Sequence, residues 1–419
     1  MYLMFCMGKN NIIGDISKFC LLQENEYYND EPLFYGFNAI VKKSSIKTIH
    51  GTGFSYNKSD AILRALGEAI ERYSLIPRDR NEVKYFRKNL LPQNRMELSN
   101  LSILSDKKQF ETVDPYPLGW IKSRKIVDNN PKNYEEIFIP AQLVFVPYHY
   151  KESEPLIQQP ISTGAVFHRN IDNALITGIL EVLERDAFVT SYYTHNGRYK
   201  LNLDKITDKD LTSILNELRR NLLEIHLFDI SNITNVHIIL CLIFDKTNTQ
   251  PLIVSGLGTK FNLKLAIIKS IDEALQLRPW LRDEFMNNNI HITSAKNIHD
   301  YLERVAYWNL NMSIKKIKDR LAFYFELDEK KVQDGDLKSN QSLTTKDKIK
   351  YLLSLSKKEN LDIYYIDITP DFIKDAYIVI KVIIPQSQPF FLNEKYSFIS
   401  RSRVGVNKKI YSKIPHFFL

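Results

Sequence analysis

Apolar and polar positions along this chain change period several times, and each change marks an element. Between Ser59 and Ser74, Ile62, Leu63, Leu66, Ala69, Ile70 and Tyr73 recur at helical spacing, which predicts an amphipathic helix. Ser59 reads as its N-cap, Asp60 suits the first turn and Pro77 follows its end. A second helix is predicted from Asp172 to Tyr193. Its apolar positions, from Leu175 and Ile176 through Leu183 to Phe188 and Val189, wrap most of the cylinder, so it belongs in the interior. A third runs from about Leu263 to Arg278 and is expected to stop before Pro279. Residues 299–325 read as one long amphipathic helical stretch.

Short apolar runs predict strands at 224–230, 236–244 and 251–255, with Gly256-Leu257-Gly258 as a glycine turn ending the last. Further strands are predicted at 362–368 and 376–384, closed by Pro385, and residues 137–148 read as a strand pair or a strand with an edge proline. Residues 1–45 read as short strands and turns, and 326–347 as a polar surface insertion or flexible loop. Strands and helices mixed without regular alternation argue for an α+β fold.

The chain has 419 residues, 44% of them hydrophobic and 25% charged, which is ordinary globular composition. No run approaches the roughly 18 apolar residues of a membrane helix, and the start, Met1 to Cys6, lacks the basic region of a signal peptide. Cytoplasmic residence with no membrane association is the expectation. Cys6, Cys20 and Cys241 form neither a disulfide framework nor a zinc spacing. The net charge of +8 is dispersed among acids, as in Lys330-Lys331-Val332-Gln333-Asp334, so no nucleic-acid partner is expected.

The chemistry lies in a repetition. Gly67-Glu68-Ala69-Ile70-Glu71-Arg72 and Glu181-Val182-Leu183-Glu184-Arg185-Asp186 both carry Glu-x-x-Glu-Arg. Positions i, i+3 and i+4 share a helix face, so each segment presents two carboxylates and a guanidinium together. A solvated charged face is the ordinary explanation of such a triplet, but the apolar frame of both helices resists it. Carboxylates near a core need paired charges, hydrogen bonds or metal, and four of them facing one another suit hard divalent cations. The third helix adds Lys269, Glu273 and Gln276 as a polar stripe. Gly67 costs its helix about 1 kcal/mol relative to Ala, explained either by close approach of a ligand or backbone or by simple tolerance. There is no phosphate-binding Gly-x-x-x-x-Gly-Lys-Ser/Thr, no HExxH and no Gly-x-Ser-x-Gly. His50-Gly51-Thr52-Gly53 reads as a glycine turn, and His226 and His237 as core residues.

Three motifs in order now resemble the YcaO family: Ala65-Leu66-Gly67-Glu68-Ala69-Ile70-Glu71-Arg72-Tyr73; Ser162-Thr163-Gly164 followed by Ala174-Leu175 and Glu181 to Ala187; and Lys269-Ser270-Ile271-Asp272-Glu273-Ala274-Leu275-Gln276-Leu277-Arg278. Ile366-Asp367-Ile368-Thr369, Val379 to Pro385 and the terminal Ile414 to Leu419 narrow the likeness to azoline-forming cyclodehydratases of ribosomally made peptides, in bacteriocin biosynthesis among others. The resemblance implies a YcaO-type fold with ATP and magnesium as cofactors. It divides the chain into an N-terminal segment 1–45, an ATP-binding catalytic domain 46–385 and a tail 386–419 that reaches toward the active site. Glu68, Glu71, Glu181 and Glu184 are implied as metal ligands. Arg72, Arg185, Lys269, Glu273 and Gln276 join them around the nucleotide, and Pro415, His416 and Leu419 of the tail are implied in catalysis.

The implied reaction phosphorylates the amide oxygen after a substrate Cys, Ser or Thr attacks the preceding carbonyl, giving thiazoline or oxazoline. Thioamide or macroamidine formation, or a non-catalytic scaffold, are the alternatives. The implied partners are a ribosomal precursor peptide, a separate ubiquitin-activating-enzyme-like protein that recognises its leader, a flavin-dependent dehydrogenase and a second copy of the chain in a homodimer. Against the family pattern, Arg64 stands in place of a small residue, Asn173 of Glu, Arg169 of Asn and Lys269 of Arg, and the proline-rich tail is reduced to Pro415.

Overall fold

The computed structural model describes residues 19–418 except 26–27, 29, 43–47, 78–81, 87–92, 105–110, 112, 114–115, 152, 288–293, 296–297 and 406–407. Leu419 and the start of the N-terminal segment lie outside the described residues.

Three sheets form the α+β frame. The first is an antiparallel meander of β1 (Cys20–Glu24), β2 (Tyr35–Lys42) and β3 (Thr48–Ser55). The second contains β4 (Lys84–Phe86), β5 (Leu118–Ile126), β6 (Tyr134–Pro140), β7 (Ala165–His168), β13 (Tyr364–Asp367) and β14 (Ile378–Ile383), with β7 hydrogen-bonded to β14. The third runs in the order β11 (Ile253–Lys260), β10 (His237–Asp245), β9 (Leu223–Asp229), β8 (Tyr199–Asn202) and β12 (Glu329–Lys331). Strand β10, His-Ile-Ile-Leu-Cys-Leu-Ile-Phe-Asp, is a continuous apolar run because both of its faces are covered. Ile239, Cys241 and Ile243 face one core cluster, and Ile238, Leu240, Leu242 and Phe244 the other.

Three helices carry the predicted motifs. Helix α1 (Lys58–Ser74) is capped by Asn57, whose side chain accepts from the Asp60 amide, two residues before the Ser59 cap expected. Helix α2 (Ile171–Thr194) is buried around most of its surface, as its composition predicts, and is capped by Asn170. Helix α4 (Leu263–Asn287), which follows α3 (Lys209–Arg220), does not stop before Pro279. Ion pairs anchor it around the proline: Arg278 Nε to Glu31 (2.8 Å), Arg278 to Asp245 (2.9 Å) and Arg282 to Asp30 (2.7 Å). The loss of one backbone donor at proline is offset by this clamp.

The two glycine pairs are not turns. Gly51 and Gly53 lie within β3, and Gly256 and Gly258 within β11. A Cβ at Gly53 would stand 2.0 Å from the Ala61 carbonyl oxygen of α1, and one at Gly258 would stand 1.9 Å from the Ala266 oxygen of α4. Each glycine pair lets a helix backbone lie directly on a strand.

Two further expectations change. The single helical stretch 299–325 is broken into Tyr301–Leu310, Ile314–Arg320 and Ala322–Phe325, because Ser313 caps a new helix. The polar stretch 326–347 is partly internal. It pairs β12 with β8 and buries Val332 and Leu337, two apolar positions that the surrounding charges mask in the sequence.

Candidate functional site

Helices α1, α2 and α4 turn their polar stripes into one cavity of about 2080 Å³. All nine residues assigned to nucleotide or metal line it: Glu68, Glu71 and Arg72 from α1, Glu181, Glu184 and Arg185 from α2, and Lys269, Glu273 and Gln276 from α4. Gly67 also lines the cavity, and a Cβ there would meet nothing closer than Phe167 at 3.6 Å. No backbone crowds it, so a methyl group would fit.

The α1 carboxylates are held by the strands beneath them. Glu68 accepts from the Thr52 amide and, at 3.0 Å, from its hydroxyl, and pairs with Arg72 at 2.8 Å. Arg72 also donates to the His50 carbonyl, and Gln276 reaches the Thr52 hydroxyl at 2.5 Å, tying α4 to α1 through β3. Glu71 accepts from the Phe167 amide at 2.8 Å. Burial, with the charges of Glu181 and Glu68, pushes the Glu71 carboxyl well above its ordinary range.

On α2, Glu184 is 1% exposed and accepts from Lys269 at 2.7 Å. Burial pushes its carboxyl up, but Lys269 and Arg185 more than reverse this and hold it below its usual value. Its Oε1 has no hydrogen-bond partner among the described residues. Burial raises Glu181 and Glu273, against the opposing charge of Arg185. Glu273 accepts from the Leu257 amide at 2.7 Å and lies 3.4 Å from Arg185.

The tail divides. Pro415 and His416 are buried in the core and do not line the cavity. The Pro415 carbonyl accepts from Trp308 Nε1 and the Tyr192 hydroxyl, while His416 Nε2 pairs with the Phe391 carbonyl at 2.9 Å. Burial and Arg304 push the His416 imidazole well below its usual pKa, so it is neutral and unsuited to proton exchange with a substrate. The tail reaches the cavity through Phe418, whose ring lies 4.4 Å under the Arg185 guanidinium.

Several residues are given no role by the sequence. Asp186, inside the second motif, holds the C-terminal segment, accepting from Arg403 at 2.8 and 2.7 Å and from the Gln388 amide at 2.8 Å. Lys381 points into the interior and donates to the carbonyls of Ile161 and Thr163 at 2.7 and 2.6 Å. Its one sequence signal is a lone cation inside the apolar run of β14. Arg64 bonds the buried Asp272 at 2.6 Å, and Asn173 accepts from Thr345 instead of facing the cavity.

Among the described residues, no three carboxylate, imidazole or thiolate groups converge as a ready metal cage. Magnesium does not need one. It is commonly held by one or two carboxylates, water and substrate phosphates. The raised carboxyls of Glu71 and Glu181 and the unpartnered Oε1 of Glu184 suit a cation, and Lys269, Arg185 and Arg72 suit phosphate. The residues present therefore fit a magnesium nucleotide.

A family model described as YcaO cyclodehydratase, ATP- and Mg2+-binding, matches residues 51–388. The fold is shared with YcaO from Methanopyrus kandleri bound with AMPPCP and Mg2+, at 16% identity and TM-score 0.65, covering 95% of this chain and 91% of that one. A heterocyclase in complex with substrate and cofactor matches at 14% identity and TM-score 0.70. That alignment covers 93% of this chain and 53% of the heterocyclase, so this chain spans about half of that protein. The Escherichia coli microcin synthetase McbBCD complex matches at 15% identity and TM-score 0.59, over 87% of each chain. The chain belongs to the YcaO family.

Proposed function

We propose that this chain is an ATP-dependent cyclodehydratase that forms thiazoline or oxazoline rings in a ribosomally made peptide. One observation carries the reading: the motif residues of three helices bring five carboxylates, two guanidinium groups and a lysine to a single cavity of about 2080 Å³. Small-ligand sites usually occupy about 300–1,000 Å³, so this cavity has room for a nucleotide and a second substrate together. The family description naming ATP and Mg2+, and the fold shared with a substrate-bound heterocyclase, support it.

Glu68, Glu71, Glu181 and Glu184 hold magnesium in this reading, with Glu68 oriented by Arg72 and Thr52. Lys269, Arg185, Glu273 and Gln276 border the polyphosphate and sugar. When bound, magnesium and ATP supply an electrophilic phosphoryl group and neutralise the charge that develops as it transfers. A substrate thiol or hydroxyl gives up its proton to solvent and adds to the preceding amide carbon, and the carbonyl π pair moves onto the oxygen. The amide-derived oxygen takes the phosphoryl group, releasing ADP. Phosphate then departs with that oxygen as nitrogen loses its proton and forms the C=N bond. Phosphorylation converts a poor leaving oxygen into a good one. The chain's own residues align the two substrates, and the buried wall of Phe390 and Phe418 limits water, which would otherwise compete for the phosphoryl group.

A leader-recognising partner protein, a flavin-dependent dehydrogenase acting on the azoline and a homodimeric state follow from the family resemblance. The fold shared with a multi-protein microcin synthetase supports the use of partners.

A second reading keeps ATP and changes the nucleophile to an external sulfur donor or an amine. It rests on the tail, where Phe417 and Phe418 pack in the core in place of a proline-rich end.

The test is mass spectrometry of a Cys/Ser/Thr-rich precursor peptide incubated with the chain, its partner and magnesium ATP. Loss of about 18 Da per modified residue, matched by ADP and phosphate, supports ring formation. A gain of about 16 Da points to thioamide formation, and dehydration that consumes a peptide amine points to macroamidine formation. Background ATP turnover with peptide and partner present overturns the enzymatic reading.

A further inference from the structure

Nearly every cation named so far has a fixed counter-ion. Lys269 has Glu184, Arg72 has Glu68, Arg185 has Glu273 and Arg64 has Asp272. Lys260, the last residue of β11, lines the same cavity; its backbone pairs with His237 of β10, but its ammonium has no ion pair or hydrogen bond among the described residues. The groups around it are mostly positive. It feels Lys269, Arg64 and Lys348, with Glu184 as the opposing charge. His168 and Arg169, at the junction of β7 and α2, line the cavity too, and both Lys260 and Arg169 act on His168. The Nδ1 of His168 accepts from the Arg169 amide at 2.8 Å, which leaves Nε2–H as the donor of the neutral ring.

We propose that Lys260, flanked by His168 and Arg169, grips the polyphosphate of the nucleotide directly, as a subsite that binds anion without metal. The proposal rests on the nucleotide reading above and adds a second mode of charge neutralisation beside the carboxylate–magnesium one. Placing an unpaired ammonium among other cations in a partly closed cavity is unfavourable until an anion arrives. Burial and the charge of Lys269 accordingly lower Lys260 to about 8. An arriving phosphate removes that penalty, so the lysine contributes more to binding than a solvated one does. Its neighbour Glu184 places the subsite beside the carboxylates assigned to magnesium. A single polyphosphate thereby meets both.

The test is calorimetric titration of the full chain with inorganic tripolyphosphate in excess EDTA, on the wild type, Lys260→Gln and Lys260→Arg. Magnesium ATP is titrated alongside. The wild type is expected to bind tripolyphosphate at one site. Lys260→Gln should weaken it about 10- to 100-fold, the range of a lost charge-assisted hydrogen bond, and Lys260→Arg should retain most of the affinity. Unchanged melting temperatures show that the variants fold. No wild-type binding without metal, or equal binding by Lys260→Gln, overturns the subsite. Failure of magnesium ATP to bind the wild type overturns the nucleotide reading instead, which separates the two.

Discussion

The guanidinium of Arg185 lies 4.4 Å from the centre of the Phe418 ring, so the second residue from the C-terminus forms part of the wall of the proposed nucleotide cavity. The same guanidinium borders Glu273 on α4. Tail, α2 and α4 therefore meet at one side chain. Phe418→Leu keeps an apolar side chain but a smaller one, a large-to-small change costing on the order of 1 kcal/mol of packing, while removing a cation–π contact of about 0.5–2 kcal/mol. ATP turnover is expected to fall by about three- to 30-fold with the melting temperature nearly unchanged. Steady-state kinetics beside a thermal melt checks this.

Glu71→Gln and Glu184→Gln keep the shape of two buried side chains and remove their charge. ATP consumption with peptide and partner should fall to background in both, while circular dichroism shows an intact fold. Wild-type turnover in both variants would take these residues out of the site. Glu184→Gln should also lower stability, because it leaves the Lys269 ammonium without its ion partner, a loss of about 3–5 kcal/mol for a fully buried pair and less here, where Lys269 is one-third exposed.

His416 gives the tail a pH dependence. Its folded pKa lies well below the ordinary 6.5 because of burial, whereas the unfolded chain protonates it normally. Below about pH 6.5 the unfolded state binds a proton that the folded state refuses, so stability falls as pH falls, by up to about 1.4 kcal/mol per pH unit. Urea unfolding between pH 5 and 8 should show this loss, and His416→Asn should flatten it. A pH–rate profile should carry no ionisation assignable to His416.

The glycines separate close approach from open space. Gly258→Ala places a methyl 1.9 Å from the Ala266 oxygen. It should push α4 off β11 and destabilise the fold by about 3 kcal/mol or more. Gly67→Ala has room and should stabilise α1 by about 0.5–1 kcal/mol. Thermal melts of the pair distinguish a glycine that helix packing requires from one the cavity merely accommodates.

What the chain's local pattern determined was the identity of the three helices and the charged faces they carry. The i, i+3, i+4 spacing of Glu68, Glu71 and Arg72, and of Glu181, Glu184 and Arg185, is a property of any helix, and the apolar frame around each set marks it as one-sided. That the three faces meet, so that all nine residues line one cavity, depends on how the helices pack.

What only the tertiary structure decided was everything that depends on a partner remote in sequence. Gly51, Gly53, Gly256 and Gly258 look like turns until a helix backbone is laid on them. Pro279 looks like a helix end until Arg278 and Arg282 anchor it on Glu31, Asp245 and Asp30. His416 looks available for chemistry until Phe391 and Arg304 enclose it. Val332 and Leu337 look like part of a polar loop until the strand before them joins a sheet edge. Helical periodicity is written in neighbouring residues, while burial and counter-ions come from residues tens to hundreds of positions away. Lys260 is set apart from solvated lysines by folding, which buries it in the cavity and brings the charge of Lys269 near it.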